Sequence, residues 1–169
     1  GLVHLVRRID DGNAASALGG AQVEKALQPA DFIDGDFGAQ ALGLFIDGSS
    51  ASGIAHTVTG AQADYISKLP FAAPFIVKKN PSVLILGAGG GNPILYATHL
   101  GAGLITAVEP NAPLVSLIRT AFKDYSQGVW DAPNVETVIA DGRSFCARSA
   151  KSYDIITLPA MISSGMSFS

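Results

Sequence analysis

The chain has 169 residues, of which 48% are hydrophobic and 15% charged, with a net charge of -3 and a single cysteine. That length suits one ordinary domain, or one domain with a small appendage. The acidic balance argues against a nucleic-acid partner, which needs a basic stripe, and one cysteine rules out an internal disulfide framework or a cysteine-cluster metal site.

A typical soluble domain is about 25% charged, so the deficit points to faces covered by something outside this stretch. No run of 18 apolar residues occurs, so no transmembrane helix is expected within it. Arg7 and Arg8 follow the first apolar residues instead of preceding them, unlike a signal peptide. The chain starts without Met and ends on Ser-Phe-Ser soon after an expected strand, and it reads as a piece of something longer. A cytoplasmic, reducing compartment is expected.

In chain order, Val3, Leu5 and Ile9 alternate with His4, Val6 and Arg8 as in a strand, closed by the turn residues 10–13. Residues 14–27 carry no decisive period. Ala41 to Ile46 reads as a strand, with Ile54 to Val58 pairing back across a turn that begins at Asp47-Gly48. Ala61 to Leu69 has Tyr65, Ile66 and Leu69 at helical spacing and is ended by Pro70. The proline-punctuated residues 70–81 read as a junction. The expected organisation is therefore a small β-rich unit with a connecting helix over 1–70, then a nucleoside-binding domain over 71–169.

The stretch Val83 to Asn92, VLILGAGGGN, organises the second part. Four apolar residues running into a glycine cluster read as a buried parallel strand turning into a helix. Gly87, Gly89, Gly90 and Gly91 let a ligand lie against the backbone, and Asn92-Pro93 predicts a side-chain cap followed by a first-turn proline. Ile94, Leu95 and Thr98 mark a helix face, stopped by Gly101 or Gly103. Leu104 to Val108 is the next strand and ends on Glu109. Asn111 and Pro113 start a helix with Leu114, Val115, Ile118, Ala121 and Phe122 on its apolar side. Val135 to Ile139, Ser144 to Ser149 and Tyr153 to Leu158 predict strand, helix, strand. Strict alternation means βαβ units and a parallel, Rossmann-like α/β sheet with strand order 3-2-1-4.

The glycine loop, Glu109 and Asp141 all fall at carboxyl ends of successive strands, which line one crevice in such a sheet. Glu109 stands 18 residues past Gly91, near the spacing at which a carboxylate accepts from a ribose diol. Asp141 is placed to accept from an exocyclic amine such as that of adenine, with Gly142 leaving room for the ring. A dinucleotide fingerprint needs glycine where Asn92 stands, and no phosphate loop of the G-x-x-x-x-G-K-[ST] kind occurs. NAD and ATP are thereby disfavoured, and S-adenosylmethionine or a relative suits the pattern better. Cys146 reads as a small core residue, Asp154 as structural, and His4, His56 and His99 as scattered positions without metal spacing.

VLILGAGGGN, TAVEPN, VIADGRSF and SYDIITLP together resemble the core of spermidine synthase-like proteins, within the class I S-adenosylmethionine-dependent methyltransferase superfamily. Upstream, LFIDGSSASG and ADYISKLPF are similar to that family's hairpin and the helix leading to its core. The resemblance covers about residues 42–164. It implies a site drawn from Gly87, Ala88, Gly89, Gly91, Glu109, Pro110, Asp141 and Gly142, binding S-adenosylmethionine or decarboxylated S-adenosylmethionine, with an amine acceptor. Polyamine-making members carry an acidic run after the fourth strand; here Thr157-Leu158-Pro159-Ala160-Met161 supplies no carboxylate, so no catalytic residue is assigned. A seven-stranded sheet is usual in this superfamily, so four strands leave an edge to be covered by missing chain, a partner or a homodimer. Bacterial relatives with membrane-spanning helices make the soluble domain of a membrane protein a further expectation.

Overall fold

A computed structural model describes residues 3–7, 42–46, 50–56 and 60–159. The chain divides into two compact units, one ending at Ile54 and the other starting at Ala55. In the first, β1 (Val3–Arg7), β2 (Leu42–Ile46) and β3 (Ser50–Gly53) form an antiparallel sheet in the order β1-β2-β3. The strand that pairs back on β2 is thus Ser50–Gly53, upstream of the expected Ile54 to Val58, of which residues 57 and 58 lie outside the described residues. Ile46 pairs with Ser50, which leaves only 47–49 to connect the strands, and pairing overrides the weak strand preference of Ser-Ala-Ser-Gly. Residues 14–27 and 47–49 lie outside the described residues.

The second unit begins with α1 (Gly60–Lys68), so this helix groups with the main sheet. Leu69 is extended, as a residue before proline must be, and Pro70 then opens a short 3-10 turn, Pro70–Ala72, that runs into α2 (Ala73–Val77). The expected junction over 70–81 is therefore partly helical, held by the buried side chain of Phe75. Among the described residues no helix is long and apolar enough to cross a membrane.

Four strands follow in alternation with helices: β4 (Ser82–Leu86), α3 (Asn92–His99), β5 (Leu104–Glu109), α4 (Ala112–Thr120), β6 (Val135–Ile139), α5 (Gly142–Arg148) and β7 (Ile155–Thr157). They pair in parallel in the order β6-β5-β4-β7, which is the expected 3-2-1-4. Right-handed crossovers place α3 and α4 on one face and, because the order reverses at β4, α5 on the other. Leu84, Leu86 and Val108 meet Phe145 of α5 together with Val138, Ala140 and Tyr153. The alternate residues Val83, Ile85, Ile105 and Ala107 are fully buried, as are Ile94 and Ala97 of α3 and Leu114 and Ile118 of α4. The inner stripe of α3 is Ile94 with Ala97; of the expected face only Ile94 is buried, while Leu95 is half-buried and Thr98 exposed, because the buried face runs from Ile94 to the residue three further on.

Local chemistry sets the helix ends. Asn111 Oδ1 accepts from Leu114 N at 3.0 Å and caps α4. At the end of α3, Gly101 takes φ +84°, and the bonds Gly101 N to Thr98 O and Ala102 N to Ala97 O close a Schellman motif. The cap expected from Asn92 is different: α3 begins at Asn92, and its N-cap is Gly91, with no side-chain cap bond. Cys146 is exposed rather than part of the core, since α5 turns it away from the sheet. On the outer strand β7, Ile156 is 58% exposed.

Asp154 ties the opposite end of the sheet. Its Oδ2 accepts from Ser82 N at 2.9 Å and Ser82 Oγ at 3.0 Å, and Oδ1 lies 2.8 Å from Lys78 Nζ. The lysine first, then Ser82, hold its carboxyl down at about 2. A folded pKa below the unfolded value of about 3.9 stabilises the fold above that value, and the contribution disappears as pH falls through the folded one. Asp154→Asn is therefore expected to lower the urea midpoint at pH 6, with the gap from wild type narrowing between about pH 4 and pH 2. Equal midpoints at pH 6 would show that the tether contributes nothing.

Candidate functional site

The carboxyl ends of β4, β5 and β6 lie side by side at one end of the parallel sheet. Gly87 N and Ala88 N both donate to Val108 O, at 2.8 and 3.2 Å, which fastens the loop after β4 to the end of β5. The loop then turns through Gly87, Gly89 and Gly91, with φ values of +83°, +53° and +95°. Adjacent strands stand about 4.8 Å apart, so the loop, Glu109 and Asp141 follow one another across the carboxyl end of the sheet.

Glu109 is the best-held member. Although its chain position is a strand end, its side chain is only 6% exposed. Oε2 accepts from Gly89 N at 2.9 Å and Oε1 from Asn111 N at 3.1 Å. One carboxylate thus clips the glycine loop to the start of α4. Each oxygen retains acceptor capacity beyond that single bond, since a carboxylate offers about four lone-pair sites.

Asp141 is the N-cap of α5, and its Oδ1 accepts from Ser144 N at 2.8 Å. Ser144, through its backbone N–H first and its side chain second, holds the Asp141 carboxyl below the usual carboxylate value. The side chain is exposed at the end of β6, next to β5. A Cβ on Gly142 would meet Leu86 only at an ordinary 3.5 Å, so packing does not require glycine there. Pro110 is exposed beside Glu109, and Ala88 is buried beneath the loop.

Gly91 has a role that its place in the glycine run does not reveal. A Cβ there would stand 2.9 Å from Val129 Cγ1, 3.1 Å from Trp130 Nε1 and 3.5 Å from Ala55 Cβ. It is therefore glycine because the interior presses on it, in addition to its left-handed backbone. Val129 and Trp130 belong to a 3-10 turn, Val129–Asp131, between α4 and β6. Ala55 N also donates to Gly90 O at 3.0 Å. Next to it, His56 stacks on Tyr125 with ring centroids 4.3 Å apart, and its Nδ1 lies 2.8 Å from Tyr125 O.

Trp130 and Ala55 are neighbours of the loop that pattern reasoning missed. The one available signal for Trp130 was that it is the chain's single tryptophan. His99 is exposed, and no group of metal-ligating residues occurs among the described residues.

No family model matches the chain. The polyamine aminopropyltransferase of Sodalis glossinidius is 35% identical over 75 residues, covering 44% of this chain and 26% of that protein. Polyamine aminopropyltransferase 1 of Pseudomonas aeruginosa matches with the same identity and coverage. Among solved structures, spermidine synthase from Thermotoga maritima superposes with a TM-score of 0.49 at 22% identity, covering 72% of this chain and 43% of that one. The chain spans about a quarter of the length of the curated relatives it matches. Over the matched stretch the chain is thus similar to polyamine aminopropyltransferases, and its parallel sheet of order β6-β5-β4-β7 is an α/β, Rossmann-like one.

Proposed function

We propose that the crevice binds an S-adenosyl ligand: S-adenosylmethionine, its decarboxylated form or methylthioadenosine. In this reading the intact protein is a transferase that moves an aminopropyl or methyl group to an amine. The observation that carries the reading is Glu109, buried at 6% exposure and held between Gly89 and Asn111. Its remaining lone pairs suit the two hydroxyls of a ribose. Gly87, Ala88, Gly89 and Gly91 would form the floor under the sulfur end, and Glu109 and Pro110 would flank the sugar. Asp141 and Gly142 would receive the adenine.

In the transfer itself, the amine lone pair forms a bond to a carbon on the sulfonium. The carbon–sulfur bond breaks, its pair stays on sulfur, and a neutral thioether leaves. The sulfonium is already an activated leaving group, so positioning and exclusion of water supply most of the acceleration. The proton released from the amine passes to solvent, because Thr157, Leu158 and Pro159 offer no carboxylate.

Calorimetric titration with the three S-adenosyl ligands and NAD tests this reading. Saturable binding of at least one S-adenosyl ligand, and none of NAD, is expected. NAD binding without the others would replace the reading with a nicotinamide site.

A further inference from the structure

We infer that Arg119, at the end of α4, is a positioning residue for ligand binding: it fixes the 3-10 turn Val129–Asp131, against which the glycine loop is seated, and through that loop it keeps Glu109 in place. This rests on the S-adenosyl reading of the site and adds a residue that the sequence pattern did not single out.

Arg119 stands in the last turn of α4, and its one guanidinium reaches two further elements. Nη2 donates to Trp130 O in the 3-10 turn at 3.2 Å and to Thr137 Oγ1 of β6 at 3.1 Å. Nε stands 2.9 Å from Asp131 Oδ1 in the same turn. Thr137 Oγ1 in turn donates to the Trp130 carbonyl at 3.0 Å, which closes the network. A rigid planar fork of donors meets a carbonyl, a hydroxyl and a carboxylate together, whereas a lysine ammonium is a single point charge.

Stability alone does not account for this arrangement. The side chains of Arg119 and Asp131 are 38% and 41% exposed, and an ion pair so open to water adds little. What the network does fix is the position of the turn.

The turn meets the loop without slack. Val129 and Trp130 are buried, and the Cβ position of Gly91 lies 2.9 Å from Val129 Cγ1 and 3.1 Å from Trp130 Nε1. Ala55 closes the loop in as well, with its Cβ 3.5 Å from that position and its N–H donated to Gly90 O at 3.0 Å. A close-packed interior transmits a displacement instead of absorbing it. Gly91 N donates to Ala88 O at 3.0 Å, and Ala88 N is fastened to Val108 O. Between these two anchored residues stands Gly89, whose N–H is held by Glu109 Oε2 at 2.9 Å. A shift of the turn therefore reaches Glu109 through Gly91 and Gly89, along a continuous line of contacts.

The test combines amide hydrogen exchange followed by NMR with calorimetric titration. Its ligand is methylthioadenosine, the part that all three S-adenosyl ligands share. Arg119→Lys keeps the charge and the stem and removes the fork; Asp131→Asn removes the ion pair from the other side. In Arg119→Lys the Gly89 N–H is expected to exchange about fivefold or more faster, while Ala102 N–H, bonded to Ala97 O at the far end of α3, stays within about twofold. Affinity should fall about fivefold or more, and Asp131→Asn should move both readings in the same direction. Because the effect runs through Glu109, adding Arg119→Lys to Glu109→Ala should change affinity by no more than about twofold. An unchanged Gly89 exchange overturns the inference, as does an equal rise at Gly89 and Ala102, which marks a general loss of stability. An affinity loss of the same size in the Glu109→Ala background also overturns it. If Arg119→Lys shows no cooperative melting, Asp131→Asn decides. Failure of wild type to bind methylthioadenosine removes the S-adenosyl reading and with it the role in binding, and Gly89 exchange still decides whether Arg119 sets the loop.

Discussion

Glu109→Ala is expected to weaken binding of the S-adenosyl ligand by about a hundredfold, read by calorimetry against wild type. Two hydroxyl-to-carboxylate bonds at about 1.5 kcal/mol or more each account for that loss. The same substitution leaves Gly89 N–H and Asn111 N–H without their acceptor. Both residues are half-buried and their N–H groups regain some water, so the loss of stability should be near the lower end of the penalty for unpaired donors, about 2 kcal/mol in all. Glu109→Gln separates the two roles. An amide oxygen can still accept from one backbone N–H, so stability should recover in part, while ligand affinity stays about tenfold or more below wild type. If the folded alanine variant binds as tightly as wild type, Glu109 is a loop clip only, and the S-adenosyl reading loses its main support.

Gly91→Ala is expected to be the most destabilising small substitution in the loop. The new Cβ would enter within 2.9 Å of Val129 Cγ1 and 3.1 Å of Trp130 Nε1, at a backbone φ of +95°. Left-handed backbone costs a non-glycine residue about 1–2 kcal/mol, and overpacking a well-filled interior about 1–3 kcal/mol more. A loss of about 3 kcal/mol follows, measurable as a lower urea midpoint with an unchanged slope. Gly101 supplies the control. It has φ +84° but nothing within 4 Å of its Cβ position, so Gly101→Ala should show the backbone contribution alone, about 1 kcal/mol. Equal losses at the two positions would mean that the neighbours at Gly91 give way freely.

Much of the core was readable along the chain, and the reason is that its signals are local. An unbroken apolar run such as Val83 to Leu86 marks a strand buried on both faces, and Val135 to Ile139 matched its strand to the residue. Asn111 caps α4 because its side chain reaches the backbone three residues on, which needs no distant partner. Alternation of strand and helix, with the handedness of crossovers, then left few ways to order the sheet. Glu109 and Asp141 were legible as site candidates for the same reason, since the carboxyl end of a parallel strand is where a crevice opens.

What depended on groups distant in sequence was decided by packing. The pairing of β2 with Ser50–Gly53 followed from register rather than from residue preference. Cys146 left the core because the face of α5 that meets Leu84 and Leu86 is set by the sheet. Gly91 looked like one more member of a flexible run, yet Val129 and Trp130 fill the space where its side chain would stand. Glu109 could be placed at a strand end from its spacing, but its grip on Gly89 and Asn111 exists only once β4 and β5 lie side by side. Apolar period and capping chemistry act within a few residues and determine which segments become strands and helices. Close packing and the pairing of buried polar groups act across the sheet, and they determine what each loop residue touches.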